Sequence, residues 1–252
     1  MIEVRNVTKR YGDQTVVDDV SLTIPRGGIT SIIGANGAGK STLLSIVSRL
    51  LEPDAGAVHV DGLDVATTPG ETLARRLAIL RQDNHLSVRL TVRELVTFGR
   101  YPHSKGRLTA DDHRAIEQAI DFLELAPYAD RQLDRLSGGQ RQRAFVAMIL
   151  CQETDYLLLD EPLNNLDLRH AVQMMRLLRR TVDELGRTVV LVIHDLNFAS
   201  CHSDRIVAMR DGAVVADAPP AELMHPTTLH GVFDVEVAVH ELAGDRIGVY
   251  YR

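Results

Sequence analysis

Short apolar runs alternate with amphipathic segments along most of the chain. Three runs of apolar and β-branched residues, at 29–33 (ITSII), 156–160 (YLLLD) and 188–193 (TVVLVI), are typical of strands buried in a parallel sheet. Segments with apolar residues at helical spacing follow the first two runs, at 41–51 and between the second and third runs, where the apolar positions are Val172, Met175, Leu178, Val182 and Leu185. This alternation predicts an α/β fold with a mainly parallel sheet.

The chain begins with a different pattern, because apolar and polar positions alternate over residues 2–10 and 16–24. With a turn at residues 11–13 (YGD), this pattern predicts an antiparallel hairpin. A short strand at 58–60, a helix near 71–77 and a strand near 78–80 are expected next. Near the other end of the chain, an Asp-Gly pair between residues 206–210 and 213–218 predicts a second hairpin with a type I′ turn.

From about residue 90 to residue 150 the apolar spacing becomes helical, and the run 109–112 (TADD) predicts a helix start within it. We therefore expect one domain over 1–252. Its core comes from residues 1–85 and 151–222, and its inserted helical subdomain from residues 86–150. Residues 223–252 form a small C-terminal appendix.

Composition narrows the class of protein. The 252 residues suffice to bury a large core, and the formal charge of −6 argues against a broad duplex-binding surface. The two cysteines form no disulfide framework, and neither a signal peptide nor an apolar run of about 18 residues is present, so a soluble cytosolic chain is expected.

The run 34–41 (GANGAGKS) follows the first apolar strand and fits the Walker A pattern. Glycines there let backbone N–H groups converge on phosphate oxygens, the lysine adds a cation, and the serine hydroxyl is a magnesium ligand. The following helix directs its positive N-terminus at the phosphates. A nucleotide site on a P-loop NTPase (RecA-like) core is therefore predicted, with ATP and Mg²⁺ as cofactors.

Two further motifs carry charge or exposed N–H groups. Asp160 and Glu161 end an apolar strand, where Asp160 is expected to hold magnesium through water and Glu161 to orient or deprotonate the attacking water. Residues 136–140 (LSGGQ) open a helix with Ser137 as N-cap, which predicts a second anion site. Taken alone, the first motif is equally typical of a helix start, and the second of an ordinary loop.

The order and spacing of these motifs, together with Gln82, Asp167 and His194, resemble an ABC-transporter ATPase subunit over nearly the whole chain. In that family the LSGGQ of one subunit closes over nucleotide held by another. The resemblance therefore implies a homodimer with two ATP molecules between its subunits.

The resemblance also implies a role for each matching residue. Glu161, His194, Gln82 and Lys40 would be catalytic, and the metal ligands would be Ser41, Gln82 and Asp160. The nucleotide would be bound by Tyr11, Gly34, Ala35, Asn36, Gly37, Ala38, Gly39, Lys40, Ser41, Thr42, Ser137, Gly138, Gly139, Gln140 and Asp167. Without the resemblance, Tyr11 is more typical of an ordinary turn residue and Gln82 of a polar loop residue. His194 is then equally typical of a helix cap and of a phosphate contact.

Two departures from the family pattern stand out. Ala35 replaces a common proline in a position that faces away from phosphate, and residues 163–166 (LNNL) precede Asp167 where many relatives have Ser-Ala-Leu. The asparagines are expected to alter how the two subunits communicate.

Within the family, residues 162–167, 97–102 and 247–250 resemble those of bacterial iron(III)-siderophore importers, especially the catecholate-type branch. This resemblance implies a separate membrane permease and an indirect link to a substrate-binding protein. The chain would lie on the cytoplasmic face of the inner membrane, associated with the membrane through the permease only, and would bind no nucleic acid. The surface around Gln82 and the apolar residues among 90–101 are expected to receive a permease helix, although each of those apolar residues is equally typical of the core of the helical insert. Haem and cobalamin importers share the architecture. A soluble ABC-type ATPase acting on nucleic acid or ribosomes is a less favoured alternative, and a kinase would leave LSGGQ unexplained.

Overall fold

A computed structural model describes residues 1–82 and 88–251 of the chain. The strands are β1 (Ile2–Tyr11), β2 (Gln14–Ile24), β3 (Ile29–Ile33), β4 (Ala55–Val60), β5 (Leu63–Asp64), β6 (Leu77–Leu80), β7 (Tyr156–Asp160), β8 (Thr188–Val192), β9 (Arg205–Arg210), β10 (Ala213–Ala218), β11 (Ala238–Leu242) and β12 (Asp245–Val249). The α-helices are α1 (Lys40–Val47), α2 (Gly70–Ala74), α3 (Val92–Thr97), α4 (Tyr101–Ser104), α5 (Ala110–Phe122), α6 (Gly138–Cys151), α7 (Leu168–Leu185), α8 (Leu196–His202), α9 (Pro220–Leu223) and α10 (Pro226–Phe233). Short 3₁₀ turns lie at Phe98–Arg100, Ala126–Tyr128 and Leu133–Arg135.

The largest sheet has six strands in the order β10-β9-β3-β8-β7-β6. Its five strands from β9 to β6 are parallel to their neighbours, and β10 joins antiparallel at one edge. This arrangement confirms the predicted α/β class. Because parallel strands all end at one edge, the residues that follow β3, β6, β7 and β8 meet there.

Side chains alternate between the two faces of this sheet, and each face is covered by its own apolar core. Leu157 and Leu159 pack in the core that contains the buried residues of α3, α5, α6 and α7. Leu158 and Val190 pack in the opposite core, with α1 and the N-terminal strands. Burial on both faces explains why these strands have continuous apolar sequences.

The predicted antiparallel N-terminal hairpin is present as part of a second sheet, ordered β2-β1-β4-β5. The Asp211-Gly212 turn between β9 and β10 has φ values of 51° and 83°, as a type I′ turn requires. A third sheet, the hairpin of β11 and β12, packs on α8. Asn197 of α8 fastens this hairpin, since its side-chain amide donates to the Gly248 carbonyl at 3.2 Å and its oxygen accepts from the Gly248 N–H at 2.8 Å.

Between β6 and β7, the described residues 88–155 are helices and turns with one isolated β-bridge. Thr109 caps α5 as predicted, in a reciprocal capping box with Asp112. The predicted boundary at residue 85/86 lies outside the described residues, so the division into core, helical subdomain and appendix stays a prediction. Of the apolar residues expected to receive a permease helix, Val92, Leu95 and Val96 are instead buried in the subdomain's own core.

Two predicted helices are shorter than the apolar spacing suggested. Helix α1 ends at Val47 rather than Leu51, because the left-handed Arg49 (φ 61°) turns the chain away and leaves Leu50 half exposed. Helix α2 ends at Ala74, since Leu77 pairs in the large sheet with Tyr156. The strand expected at 58–60 begins earlier, at Ala55.

Candidate nucleotide-binding and hydrolysis site

The glycine loop leaves the end of β3 and enters α1, as the Walker A pattern predicts. Gly34 (φ 146°) and Gly39 (φ 94°) both have left-handed backbone conformations. An added Cβ would lie 2.1 Å from the Met209 carbonyl oxygen at Gly34, and 2.3 Å from that of Val16 at Gly39. Only glycine therefore fits either position. Around Gly37 (φ 82°) space is open, so its conformation alone favours glycine.

Lys40 is 5% exposed and reaches back across the loop. Its Nζ donates to the carbonyl oxygens of Gly34 at 2.9 Å and Ala35 at 2.8 Å. Burial lowers the pKa of the ammonium, although nearby Glu161 and Asp160 act in the opposite direction. The loop thus concentrates backbone N–H groups and one buried cation, which suits a phosphate chain.

Ser41 and Asp160 meet where α1 passes the end of β7. The Ser41 Oγ donates to Asp160 Oδ1 at 2.8 Å, and burial raises the pKa of the Asp160 carboxyl. A hydroxyl and a carboxylate are oxygen donors of the kind that Mg²⁺ prefers. The pair therefore fits a nucleotide-bound magnesium ion. Gln82, also a predicted ligand, is bonded to Glu161 instead.

Glu161 has a left-handed backbone (φ 50°), and its side chain is 10% exposed. Three donors surround its carboxylate. Gln82 Nε2 donates to Oε2 at 2.8 Å, His194 Nε2 lies 2.6 Å from Oε1, and Asn164 Nδ2 also donates to Oε2. An ionised carboxylate can only accept, so in the ionised form of Glu161 the proton of this contact lies on His194 Nε2.

An open cavity of about 390 Å³ connects several predicted residues. It is lined by Tyr11, Ser41, Thr42, Ser45, Leu50, Leu51, Arg81, Gln82 and Asp160. Tyr11, one of the lining residues, is 54% exposed. Asn36 is exposed at the tip of the glycine loop, whereas the methyl group of Ala38 is buried in the core.

The LSGGQ residues lie apart from this cavity. Ser137 accepts from the Gln140 N–H at 3.2 Å and Gln140 Oε1 accepts from the Ser137 N–H at 3.0 Å, a capping box at the start of α6. Ser137 and Gly138 are exposed, and no residue of 136–140 contributes to the cavity lining. Residues 136–140 are therefore not part of the cavity surface that Ser41 and Asp160 line.

Gly139 and Asp167 are connected through His170. An added Cβ at Gly139 would lie 2.3 Å from the His170 ring, so glycine is required for this close packing. Asp167 caps α7, with its Oδ1 2.9 Å from the His170 backbone N and 2.7 Å from its Nδ1. These hydrogen bonds lower the pKa of Asp167, the backbone bond most.

Asn164 is the site residue that sequence reasoning did not place. The sequence showed that Asn164 departs from the family pattern, but it did not predict that the Asn164 side chain contacts Glu161. The spacing from Glu161 is three residues, which suits a tight turn, and the turn is indeed closed by a 3.2 Å bond from the Asn164 N–H to the Glu161 carbonyl. That spacing is the signal that sequence analysis could have used.

The glycine loop at the end of a parallel strand, beside the half-buried carboxylates of Asp160 and Glu161, defines a P-loop nucleotide hydrolase. None of the described helices is both long and apolar enough to cross a bilayer. Within residues 1–82 and 88–251, no group of three or more His, Cys, Asp or Glu side chains is arranged to hold a metal ion.

Comparisons with known proteins agree with this class. The model of the ABC transporter family matches residues 17–164. Over 251 residues the chain is 50% identical to the petrobactin import ATP-binding protein YclP of Bacillus subtilis (strain 168), covering 100% of both chains. It is 43% identical over 231 residues to the iron(3+)-hydroxamate import ATP-binding protein FhuC of the same organism, covering 91% of this chain and 86% of that one.

A solved structure also shares the fold. The dimeric, post-hydrolysis state of an ATP-binding cassette bound to ADP and Pi matches with a TM-score of 0.77 at 29% identity, covering 87% of this chain and 99% of that one. The chain belongs to the ABC transporter family, as an ATP-binding chain that hydrolyses ATP.

Proposed function

We propose that this chain is the ATPase subunit of a bacterial importer for iron(III)-siderophores. The observation that carries the proposal is the full-length 50% identity to a petrobactin import ATP-binding protein, supported by the similarity to an iron(3+)-hydroxamate import protein. The first name specifies import of petrobactin and the second import of iron(3+)-hydroxamate, and the match covers 100% and 86% of the two relatives. A haem or cobalamin importer is the alternative.

In the proposed mechanism Glu161 is the general base for the attacking water. Its carboxylate is held by Gln82, Asn164 and His194, each from a different loop or turn at the sheet edge, so its orientation is set before ATP arrives. Ser41 and Asp160 would hold Mg²⁺, which supplies positive charge to the phosphates. Lys40 and the N–H groups of residues 34–42 bind the phosphate chain, and Tyr11 stacks on adenine.

A second copy of the chain is the proposed partner across the nucleotide. The capping box takes up the backbone N–H groups of Ser137 and Gln140, so the start of α6 would offer those of Gly138 and Gly139. None of these residues lines the cavity that contains Ser41 and Asp160. A head-to-tail homodimer would bring the start of α6 of one copy to this cavity of the other. The dimeric solved relative bound to ADP and Pi supports this arrangement.

The transported compound would be selected by other chains. We propose a separate permease in the inner membrane, with this chain on its cytoplasmic face, and a substrate-binding protein on the other side. Phe98 is 57% exposed and Tyr101 is 65% exposed on the short helical turns that follow α3. Large apolar side chains exposed together suit a docking surface, and these two are proposed to contact the permease.

Replacement of Phe98 by Asp is expected to reduce co-purification with the permease at least tenfold, because a charge would have to be desolvated at the contact. Folding should be unchanged, since the side chain is exposed. The measurement is the amount of this chain retained by a tagged permease from detergent extracts. Leu242→Asp is the matched control, because Leu242 is 68% exposed on the C-terminal hairpin. Equal retention of both variants would contradict the docking surface.

Replacement of Lys40 by Ala is expected to weaken ATP binding about 10- to 100-fold, since a charge-assisted contact to phosphate is lost. Binding of a fluorescent ATP analogue at equilibrium measures the effect. Lys105→Ala is the control, because Lys105 is exposed and pairs with Glu71 on the surface. Native affinity in the Lys40 variant would count against the loop as the phosphate site.

Uptake in the bacterium that encodes the chain tests the proposed substrate. A strain lacking the gene should lose accumulation of radioactive iron supplied as a ferric siderophore, and the native gene should restore it whereas Glu161→Gln should not. Ferric petrobactin, a ferric hydroxamate and haem, each labelled with radioactive iron, are supplied in parallel with cobalamin labelled with radioactive cobalt. Loss confined to haem or cobalamin would replace the siderophore proposal with the alternative.

A further inference from the structure

The segment after β7 folds into a compact double turn. The Asn164 N–H bonds to the Glu161 carbonyl at 3.2 Å, and the Leu166 N–H to the Leu163 carbonyl at 3.2 Å. Two residues of this double turn are left-handed, Glu161 with φ 50° and Asn165 with φ 61°. Asparagine is common in that conformation, so the backbone explains Asn165. It does not explain Asn164, which has no such requirement.

The Asn164 side chain has a different partner. Its Nδ2 donates to Glu161 Oε2, the oxygen that also accepts from Gln82. Asn164 is an exposed residue, and water could satisfy its amide. Burial therefore does not force this hydrogen bond, which places a neutral donor against the proposed base.

Together, the three donors determine how the carboxylate is turned. His194 is bonded to Oε1, while Gln82 and Asn164 share Oε2. Rotation about the terminal torsion, which is soft in a free glutamate, would break bonds at both oxygens. Gln82 and His194 come from other strands, whereas Asn164 lies in the same turn as Glu161. Because Asn164 and Glu161 belong to one turn, the Asn164 amide keeps its position relative to the Glu161 carboxylate when that turn moves.

We propose that Asn164 is a positioning residue for ATP hydrolysis, holding the Glu161 carboxylate in the orientation in which it accepts a proton from water. This inference rests on the proposed function of Glu161 as general base. Asn164 touches neither the glycine loop nor the Ser41–Asp160 pair among the described contacts. Its effect therefore falls on the chemical step and not on ATP binding.

Two variants test the assignment. Asn164→Ala removes the donor, and Asn164→Asp keeps the size of the side chain but puts a second carboxylate against Glu161. We expect kcat for ATP hydrolysis to fall about tenfold in Asn164→Ala and further in Asn164→Asp. KM for ATP and binding of a fluorescent ATP analogue should stay within about twofold. Gln118→Ala, which removes an exposed side-chain amide on α5, is the control and should retain native kcat.

A purely structural role predicts the opposite ranking, because Asp matches Asn in size and both suit turns. Native kcat in Asn164→Asp, or a fall in kcat matched by weaker ATP binding or a lower melting temperature, would overturn the inference. Glu161→Gln is measured alongside. If it is inactive while the Asn164 variants are native, only the role of Asn164 fails. If Glu161→Gln itself turns over ATP normally, the proposed function of Glu161 fails.

Discussion

Glu161→Gln is expected to lower kcat for ATP hydrolysis about a thousandfold, within the range that a general base contributes. Glutamine has the same shape and still offers an oxygen to Gln82 or His194, but it cannot take a proton from water. The substitution leaves the glycine loop, Lys40 and Ser41 unchanged, so the affinity for ATP should change little. The variant should therefore accumulate with ATP bound, as a dimer.

Single-turnover hydrolysis and size-exclusion chromatography with ATP measure these two effects. Glu184→Gln is the matched control, because Glu184 is exposed and pairs with Arg180 one turn away on α7. It should show native turnover and no ATP-dependent dimer beyond that of the native chain. A Glu161 variant that hydrolyses ATP at the native rate would contradict the assignment of the base.

Arg100→Met is expected to lower the free energy of unfolding by about 3–5 kcal/mol, the usual cost of removing one partner from a buried ion pair. The Arg100 side chain is 6% exposed, and it donates to Asp112 Oδ1 at 2.8 Å, to Glu153 Oε2 at 2.6 Å and to the Cys151 carbonyl at 2.8 Å. Methionine fills similar space but leaves the buried Asp112 without its cation. Urea unfolding at neutral pH measures the loss.

The effect should depend on pH in one direction. Hydrogen bonds, first from the Thr109 backbone and then from Arg100, lower the pKa of Asp112 to about 2. A depressed carboxyl pKa stabilises the fold above the unfolded value near 3.8, and this stabilisation is lost as the pH falls toward 2. The difference between native and variant should thus be constant at neutral pH and shrink below about pH 4.

Arg114→Met is the control for this pair of measurements. Arg114 also contacts an aspartate of α5, Asp111, but both side chains are more than 70% exposed, at 73% and 77%. Exposed pairs contribute less than about 1 kcal/mol. If Arg100→Met were as stable as Arg114→Met, the buried cluster would not stabilise the helical segment as inferred.

Local patterns predicted most of the strands and the turns of the fold. Residues 29–33 and 156–160 are strands as expected, because continuous apolar sequence is required where both faces of a sheet are covered. The Asp-Gly pair predicted the turn at Asp211-Gly212, because a type I′ turn needs two consecutive positive φ values that few residues adopt. Helix ends were less accurate, since α1 stops at Val47 ahead of the left-handed Arg49, a backbone conformation that apolar spacing does not reveal.

For the site, motif chemistry indicated Lys40, Ser41, Asp160 and Glu161 as candidates, and the fold brings them together. It did not indicate that Gln82 bonds to Glu161, or that Lys40 spans the glycine loop to two carbonyl oxygens. Asn164 was visible as a departure without a role. Such contacts either join residues that are distant in the chain or depend on side-chain torsion angles. The spacing of residues along the sequence predicts neither kind of contact.

The sequence by itself determined which residue types occupy the ends of four apolar strands, since chemistry such as a glycine loop or a paired carboxylate needs particular side chains at particular local spacings. Only the tertiary structure decided that these ends are neighbours, because strand order is a product of packing over the whole sheet. The order β3-β8-β7-β6 places His194 and Gln82 on opposite sides of Glu161. That strand order decides which side chains lie within hydrogen-bond distance of the Glu161 carboxylate. A local sequence pattern carries no information on such distances.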